Sequence, residues 1–116
     1  MYLTGCPCCL YKRERYVKEF LESLHLSFNY HKKFTIPKTV IVDFFILDNN
    51  SIIEYNGEQH YMPIKRFGGK SKFLKQQVRD EQLRTYCKQN NIKLLELPYW
   101  LSDNEIKDKI KSFINK

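Results

Sequence analysis

Residues 40–61 constrain this chain more than any other stretch: Val-Ile-Val-Asp43-Phe-Phe-Ile-Leu-Asp48-Asn49-Asn50-Ser-Ile-Ile-Glu54-Tyr-Asn56-Gly-Glu-Gln59-His60-Tyr61. Two β-branched and aromatic runs flank Asp48, Asn49 and Asn50, residue types that tolerate left-handed backbone angles, so a β-hairpin is predicted. With Asp48 and Asn49 at the centre of the turn, Asp43 lies opposite Glu54. With Asn49 and Asn50 at the centre, Asp43 faces Asn56 and Glu54 becomes its diagonal neighbour. In either register the two acids share a face, their Cβ atoms roughly 5 to 8 Å apart. Carboxylates side by side among apolar residues repel and lose hydration, which argues for a cation between them. A hard divalent ion suits all-oxygen ligands of this kind.

Outward from the hairpin, residues 11–25 place Val17, Phe20, Leu21 and Leu24 at helical spacing. Glu14 falls on the same apolar stripe, which is unusual for an acid. A first-turn glutamate favoured by the helix dipole is the plain explanation. Leu26, Phe28 and Tyr30 alternate as a strand, followed by Lys32, Lys33 and a turn at Pro37. Residues 61–70 read as a loop with Pro63 and Gly68-Gly69, and Ser71 as the cap of a long helix to about Asn90. A fourth strand is expected from Ile92 to Leu97, ended by Pro98. Ser102 and Glu105 form a capping box for a last helix carrying Ile106, Ile110, Phe113 and Ile114. The predicted order is α-β-β-β-α-β-α, an α/β (α+β) single domain with a mixed four-stranded sheet flanked by helices. Residues 1–10 form a Cys-rich N-terminal segment ahead of the folded domain, residues 11–116.

The formal charge of +7 and a pI near 9.2 suit a polyanionic partner. Lysine outnumbers arginine three to one, and Ile, Asn, Phe and Tyr abound, as an AT-rich genome would also write. No run of about 18 apolar residues is present to span a membrane. Met1 to Pro7 lacks the charged and apolar regions of a signal peptide. An intracellular protein with reduced thiols is expected.

The stretch Ile53-Glu54-Tyr55-Asn56-Gly57-Glu58-Gln59-His60-Tyr61, behind a strand ending in Asp43, resembles the PD-(D/E)XK nuclease superfamily. It looks most like the branch of the very-short-patch repair endonucleases and the phage EDxHD homing endonucleases. The flanking text agrees in order and spacing: Cys6-Pro7-Cys8-Cys9, Glu14 near a helix start, Phe67-Gly68-Gly69, Arg79-Asp80, Tyr86-Cys87 and Leu97-Pro98-Tyr99. The resemblance covers residues 6 to about 100. It implies a restriction-endonuclease-like core and a metal-dependent DNA endonuclease of homing or repair type, with a phage or viral gene as one origin. Asp43 and Glu54 would then bind Mg²⁺, or Mn²⁺ in its place. Glu14 would be a third active-site carboxylate and His60 the residue that moves a proton.

One position departs from that pattern. Asn56 shares Glu54's face, where most of the superfamily carries a lysine that orients the attacking water. Asparagine neither protonates nor acts as a base near neutral pH, so Asn56 is either a catalytic residue of another kind or a turn residue before Gly57. Histidine titrates near neutral pH, which suits His60 to proton transfer. Gln59 suits a phosphate contact, whereas His25 and His31 read as surface residues. Asp80 reads as an exposed acid paired to Arg79 or Arg84, and the resemblance implies the alternative of a role near the metal or as an anchor behind it. Gly68-Gly69-Lys70-Ser71-Lys72 precedes a helix start, where free N–H groups and Lys70 and Lys72 favour a DNA phosphate. Cys6 and Cys9 offer half of a tetrahedral Zn²⁺ site with no second pair downstream, so reduced thiols are the expectation and zinc the alternative. With no obvious recognition domain, specificity would come from a homodimer or another partner. Against the nuclease stands a nucleic-acid-binding module of the same fold that has lost its chemistry, and behind it a ribonuclease.

Overall fold

The structure, a computed structural model, describes residues 7–36, 38–65 and 68–115. Helix α1 spans Pro7–Ser23. Proline suits a first helical position, because the N–H it lacks would have no partner there. The helix therefore runs through the boundary expected after residue 10. Strands β1 (Phe28–Ile36) and β2 (Lys38–Ile46) pair antiparallel from Phe28↔Ile46 to Ile36↔Lys38. Lys32 and Lys33 belong to β1 rather than follow it, since β2 reaches back to Lys38 and supplies their ladder partners.

Asn50, at φ 53°, is left-handed in the turn that leads to β3, Ser51–Asn56. The β2–β3 register, Ile46↔Ser51 to Phe44↔Ile53, is the one centred on Asp48 and Asn49. A 3₁₀ helix, Glu58–His60, precedes α2, Gly69–Gln89, which crosses to β4, Lys93–Pro98, parallel to β3. Helix α3, Asp103–Ile114, stands behind the Ser102–Glu105 capping box, both of whose hydrogen bonds form. Ser71 does not cap α2. The N-cap is Gly68, with φ 96° and no side-chain cap. A Cβ at that position would also lie 1.9 Å from Cγ of Lys72, so shape and backbone both require glycine.

The element order is the one expected, and the sheet order is β1-β2-β3-β4. Helices α1 and α3 cover one face, where Val17, Leu21, Ile106 and Ile110 pack on Phe44, Ile46, Ile53 and Leu97. Helix α2 covers the other, with Leu83 and Cys87 on Val40, Val42 and Ile52. Each such aliphatic side chain contributes roughly 1.5–3 kcal/mol by leaving water, so the sheet is held from both sides.

Residues two apart on a regular strand share a face, and β2 breaks that rule at Asp43. Val40 and Val42 belong to the α2 layer, whereas Phe44 and Ile46 belong to the α1–α3 layer. Strand β1 changes sides at the matching step. Phe28 and Tyr30 pack in the first layer, Phe34 in the second, and His31 between them has φ 59°. Asp43 thus stands where the sheet exchanges its faces. Among the described residues no helix is long and apolar enough to cross a membrane.

Candidate active site

Beyond Phe44↔Ile53 the β2–β3 ladder ends and carboxylates take over its hydrogen bonds. The Asp43 N–H donates to Glu54 Oε2 at 2.7 Å, and the Tyr55 N–H donates to Asp43 Oδ2 at 2.7 Å. A buried backbone N–H without an acceptor is costly, so both acids are anchored as well as adjacent. Asp43 is pushed up to about 8, first by burial and then by the charges of Glu54 and Glu14. Burial also raises Glu54, against the pull of Arg79 and of the Asp43 N–H.

Glu14 approaches this fork from α1, on the inward stripe of Val17 and Leu21 that its spacing predicted. Its Oε2 accepts from the Tyr30 hydroxyl and lies 2.9 Å from His31 Nε2. The Tyr30 and His31 rings stack with centroids 3.8 Å apart. One ligand atom from each of Glu14, His31 and Asp43 lies within 4.8 Å of the others. His31 is exposed, as its sequence context suggested, yet its ring belongs to the site; His25 is exposed and does not.

On the α2 side, Arg79 ties three groups together. It donates to Glu54 Oε1 at 3.0 Å, to Asp80 Oδ1 at 3.2 Å and to the Ile41 carbonyl at 2.7 Å. Asp80 is 5 % exposed, which corrects its reading as a surface acid. The expected pairing with Arg79 forms, while Arg84 instead clasps Glu96 through two bonds of 2.9 Å. Asp80 tolerates burial because His60 Nδ1 lies 2.9 Å from Oδ2 and Gln76 donates to Oδ1 at 2.8 Å. Burial alone would raise this acid, but His60, Gln76 and Arg79 together hold it below the usual carboxylate value. Gln77 fixes the other end of His60, donating to its carbonyl at 2.6 Å. With Nδ1–H committed to Asp80, the neutral ring keeps Nε2 as its basic atom.

The remaining candidates divide. Asn56 is the last residue of β3 and 2 % exposed, and its Nδ2 donates to Glu96 Oε1 at 3.0 Å. It is a strand residue rather than a turn residue, and its amide is committed to Glu96. Gln59 Oε1 is buried, has no hydrogen-bond partner among the described residues, and lines a cavity of about 90 Å³ with Gly69, Lys72, Phe73 and Gln76. Lys70 and Lys72 are exposed at the start of α2. Cys6 and the side chain of Cys9 lie outside the described residues. Cys87 is a buried free thiol, pushed up to about 11 by burial and by Glu54 and Glu96.

Two site residues escaped the sequence reading, His31 and Arg79, while for Asp80 the anchoring role that the resemblance implies is the one the geometry favours. For Asp80 the signal was its helical spacing from Phe73 and Cys87, which marks an inward face. His31 has no local signal, because only the packing of α1 across β1 brings Glu14 to it.

No family model matches the chain, and no solved structure matches it. Viral relatives do. Uncharacterized protein 094L of Frog virus 3 is 36 % identical over 80 residues, 65 % of this chain and 52 % of the relative. Uncharacterized protein 307L of Invertebrate iridescent virus 6 is 48 % identical over 52 residues, 44 % of this chain and 26 % of the relative. Uncharacterized protein 033L of Invertebrate iridescent virus 3 is 40 % identical over 55 residues, 47 % of this chain and 28 % of the relative. The chain spans between about a quarter and a half of the length of these relatives, whose names state no activity.

Proposed function

We propose that this chain is a metal-dependent DNA endonuclease of the PD-(D/E)XK type that hydrolyses phosphodiester bonds. The observation that carries the reading is the convergence at one fork of Asp43, Glu54 and Glu14 with the Asp80-oriented His60. The α-β-β-β-α-β order around a mixed sheet agrees with it. Asp43 would hold the ion together with neighbouring carboxylates, and the donor set fits. Among the described residues no lysine or arginine pairs with Asp43, whereas Glu54 and Asp80 share Arg79. A bound Mg²⁺ or Mn²⁺ would lower the pKa of a coordinated water and neutralise charge on the reacting phosphate. His60 would accept or return a proton at Nε2, and Asp80 would keep the ring in the tautomer that allows it. Lys70 and Lys72 would hold the DNA backbone without reading bases. The reading entails an intracellular site of action and leaves specificity to a homodimer or another partner.

Supercoiled, linear, single-stranded and branched DNA, each incubated with and without Mg²⁺ or Mn²⁺, test it. Cleavage that requires the ion is expected on at least one substrate. The commitment of Asn56 to Glu96 favours a second reading, a nucleic-acid-binding module of the same fold without chemistry. Binding that needs no divalent ion, with no cleavage of any substrate, would establish that module instead.

A further inference from the structure

We propose that the ion sits on the α1 side of the fork, held by Glu14, His31 and Asp43, and that this two-carboxylate, one-imidazole set takes a first-row transition ion in preference to Mg²⁺. The proposal rests on the metal-dependent reading above and replaces Glu54 as the partner of Asp43. Both Glu54 oxygens are already engaged, Oε2 by the Asp43 N–H and Oε1 by Arg79. An ion placed between Asp43 and Glu54 would also have to sit beside the Arg79 guanidinium. The opposite side offers the reverse electrostatics. The carboxylates of Glu14 and Asp43 approach each other, and the His31 ring nitrogen lies 2.9 Å from Glu14 Oε2.

Three atoms with lone pairs converge there, and only a proton or a cation can lie between them. Their spread of 4.8 Å needs a small inward rotation to reach the ligand separations of roughly 3 to 4 Å that bonds of about 2.1 Å impose. The Tyr30 hydroxyl on Glu14 and the Tyr30 ring on His31 orient two of the three ligands from outside. Such outer contacts typically accompany a built metal site. Magnesium prefers oxygen ligands and retains its water, whereas an imidazole nitrogen suits transition ions.

Mn²⁺ titrated into the full chain without DNA, followed by electron paramagnetic resonance, tests this directly. One ion per chain is expected, with hyperfine coupling to a histidine nitrogen, and Mg²⁺ should displace it only at about tenfold or greater excess. His31→Gly fits the left-handed backbone, offers no donor, and should abolish the nitrogen coupling and weaken Mn²⁺ binding at least about tenfold. His31→Asn, which also tolerates that backbone, guards against a folding defect: it should melt like the wild type and likewise lose the coupling. His60→Gln should leave the coupling in place. Wild-type Mn²⁺ affinity in His31→Gly, or equal competition by Mg²⁺, would overturn the assignment. Bound Mn²⁺ with the nitrogen coupling but no cleavage of any DNA would support the site and remove the nuclease. Cleavage with an ion that shows no nitrogen coupling would do the opposite.

Discussion

Asp43 donates its backbone N–H to Glu54, while its own carboxylate accepts the N–H of Tyr55, the residue after Glu54. The pair is therefore a continuation of the sheet as well as a concentration of charge. Those two roles can be separated by substitution, because an amide keeps an acceptor oxygen and an alanine does not.

Asp43→Asn should remove at least about two orders of magnitude of DNA cleavage, the scale of losing a transition-state charge stabiliser. Glu54→Gln, which loosens the Arg79 pair that holds the fork in place, should lower cleavage as well. In EDTA at pH 8, Asp43→Asn should melt at or above the wild-type temperature, since repulsion goes and the Tyr55 N–H keeps its acceptor. Asp43→Ala orphans that N–H and should cost about 1–3 kcal/mol in urea unfolding. Wild-type cleavage by an amide variant would remove Asp43 or Glu54 from the reaction. Equal stability of the Ala and Asn variants would remove the anchoring role.

Stability should fall as pH rises in the absence of metal. Folded Asp43 keeps its proton to about 8, whereas the ordinary value is 3.8. Across that window the folded state binds more protons than the unfolded one, so unfolding becomes easier with rising pH. Glu54 is raised and acts in the same direction. Asp80 is lowered, so its contribution is complete above the ordinary carboxylate value and is lost only as pH falls below it. Melting temperature in EDTA should decline from about pH 4 to about pH 8 and then flatten, and Asp43→Asn should shrink the decline. A saturating divalent ion should stabilise most at the high-pH end, where it displaces no proton. An identical slope in wild type and Asp43→Asn would show that the acid is not raised.

How far this site could be read from the chain depends on how local each relationship is. The hairpin follows from alternation plus an Asx-rich turn, which leaves two registers open, and the Ser102–Glu105 box from two residues three apart; both need only neighbours. The exchange of faces at Asp43 is invisible to a period of two, which assumes that the pleat never slips. Asp80 looked solvent-exposed because a lone acid on a helix usually is. It is buried because α2 lies across the 3₁₀ helix and delivers it to His60, a tertiary fact. The start of α2 was misjudged for a chemical reason: serine is a common cap, but here a left-handed glycine and the Lys72 stem leave no place for one.

His60 and Asp80 should behave as a unit. His60→Gln should lower kcat by about 10²-fold or more, the usual worth of a positioned acid–base group. Asp80→Asn retains the shape but can donate to Nδ1 and so fix the wrong tautomer. It should lower kcat by one to two orders of magnitude, with little change in KM for DNA. Adding Asp80→Asn to His60→Gln should cost nearly nothing further in kcat. Independent, multiplying losses in the double variant would show that Asp80 acts elsewhere, through Arg79 and Glu54.

The grip on DNA should be electrostatic and indifferent to sequence. If lysines neutralise phosphates, the logarithm of affinity falls linearly with the logarithm of salt, by about 0.9 per phosphate contact. Lys70→Gln with Lys72→Gln removes two charges at the start of α2 and keeps the Lys72 stem that packs over Gly68. The slope should flatten by about one to two contacts, and every duplex should weaken alike. In EDTA above pH 8, where the wild-type acid is ionised, Asp43→Asn should bind better than the wild type, because a negative charge facing the phosphate is gone. Below that pH it should bind about equally, while metal-supported cleavage is lost at either pH. Filter binding of several unrelated duplexes at fixed salt decides the matter. A strong preference for one duplex, or an unchanged slope in the double lysine variant, would move the DNA contact away from the start of α2 and onto a surface that reads bases.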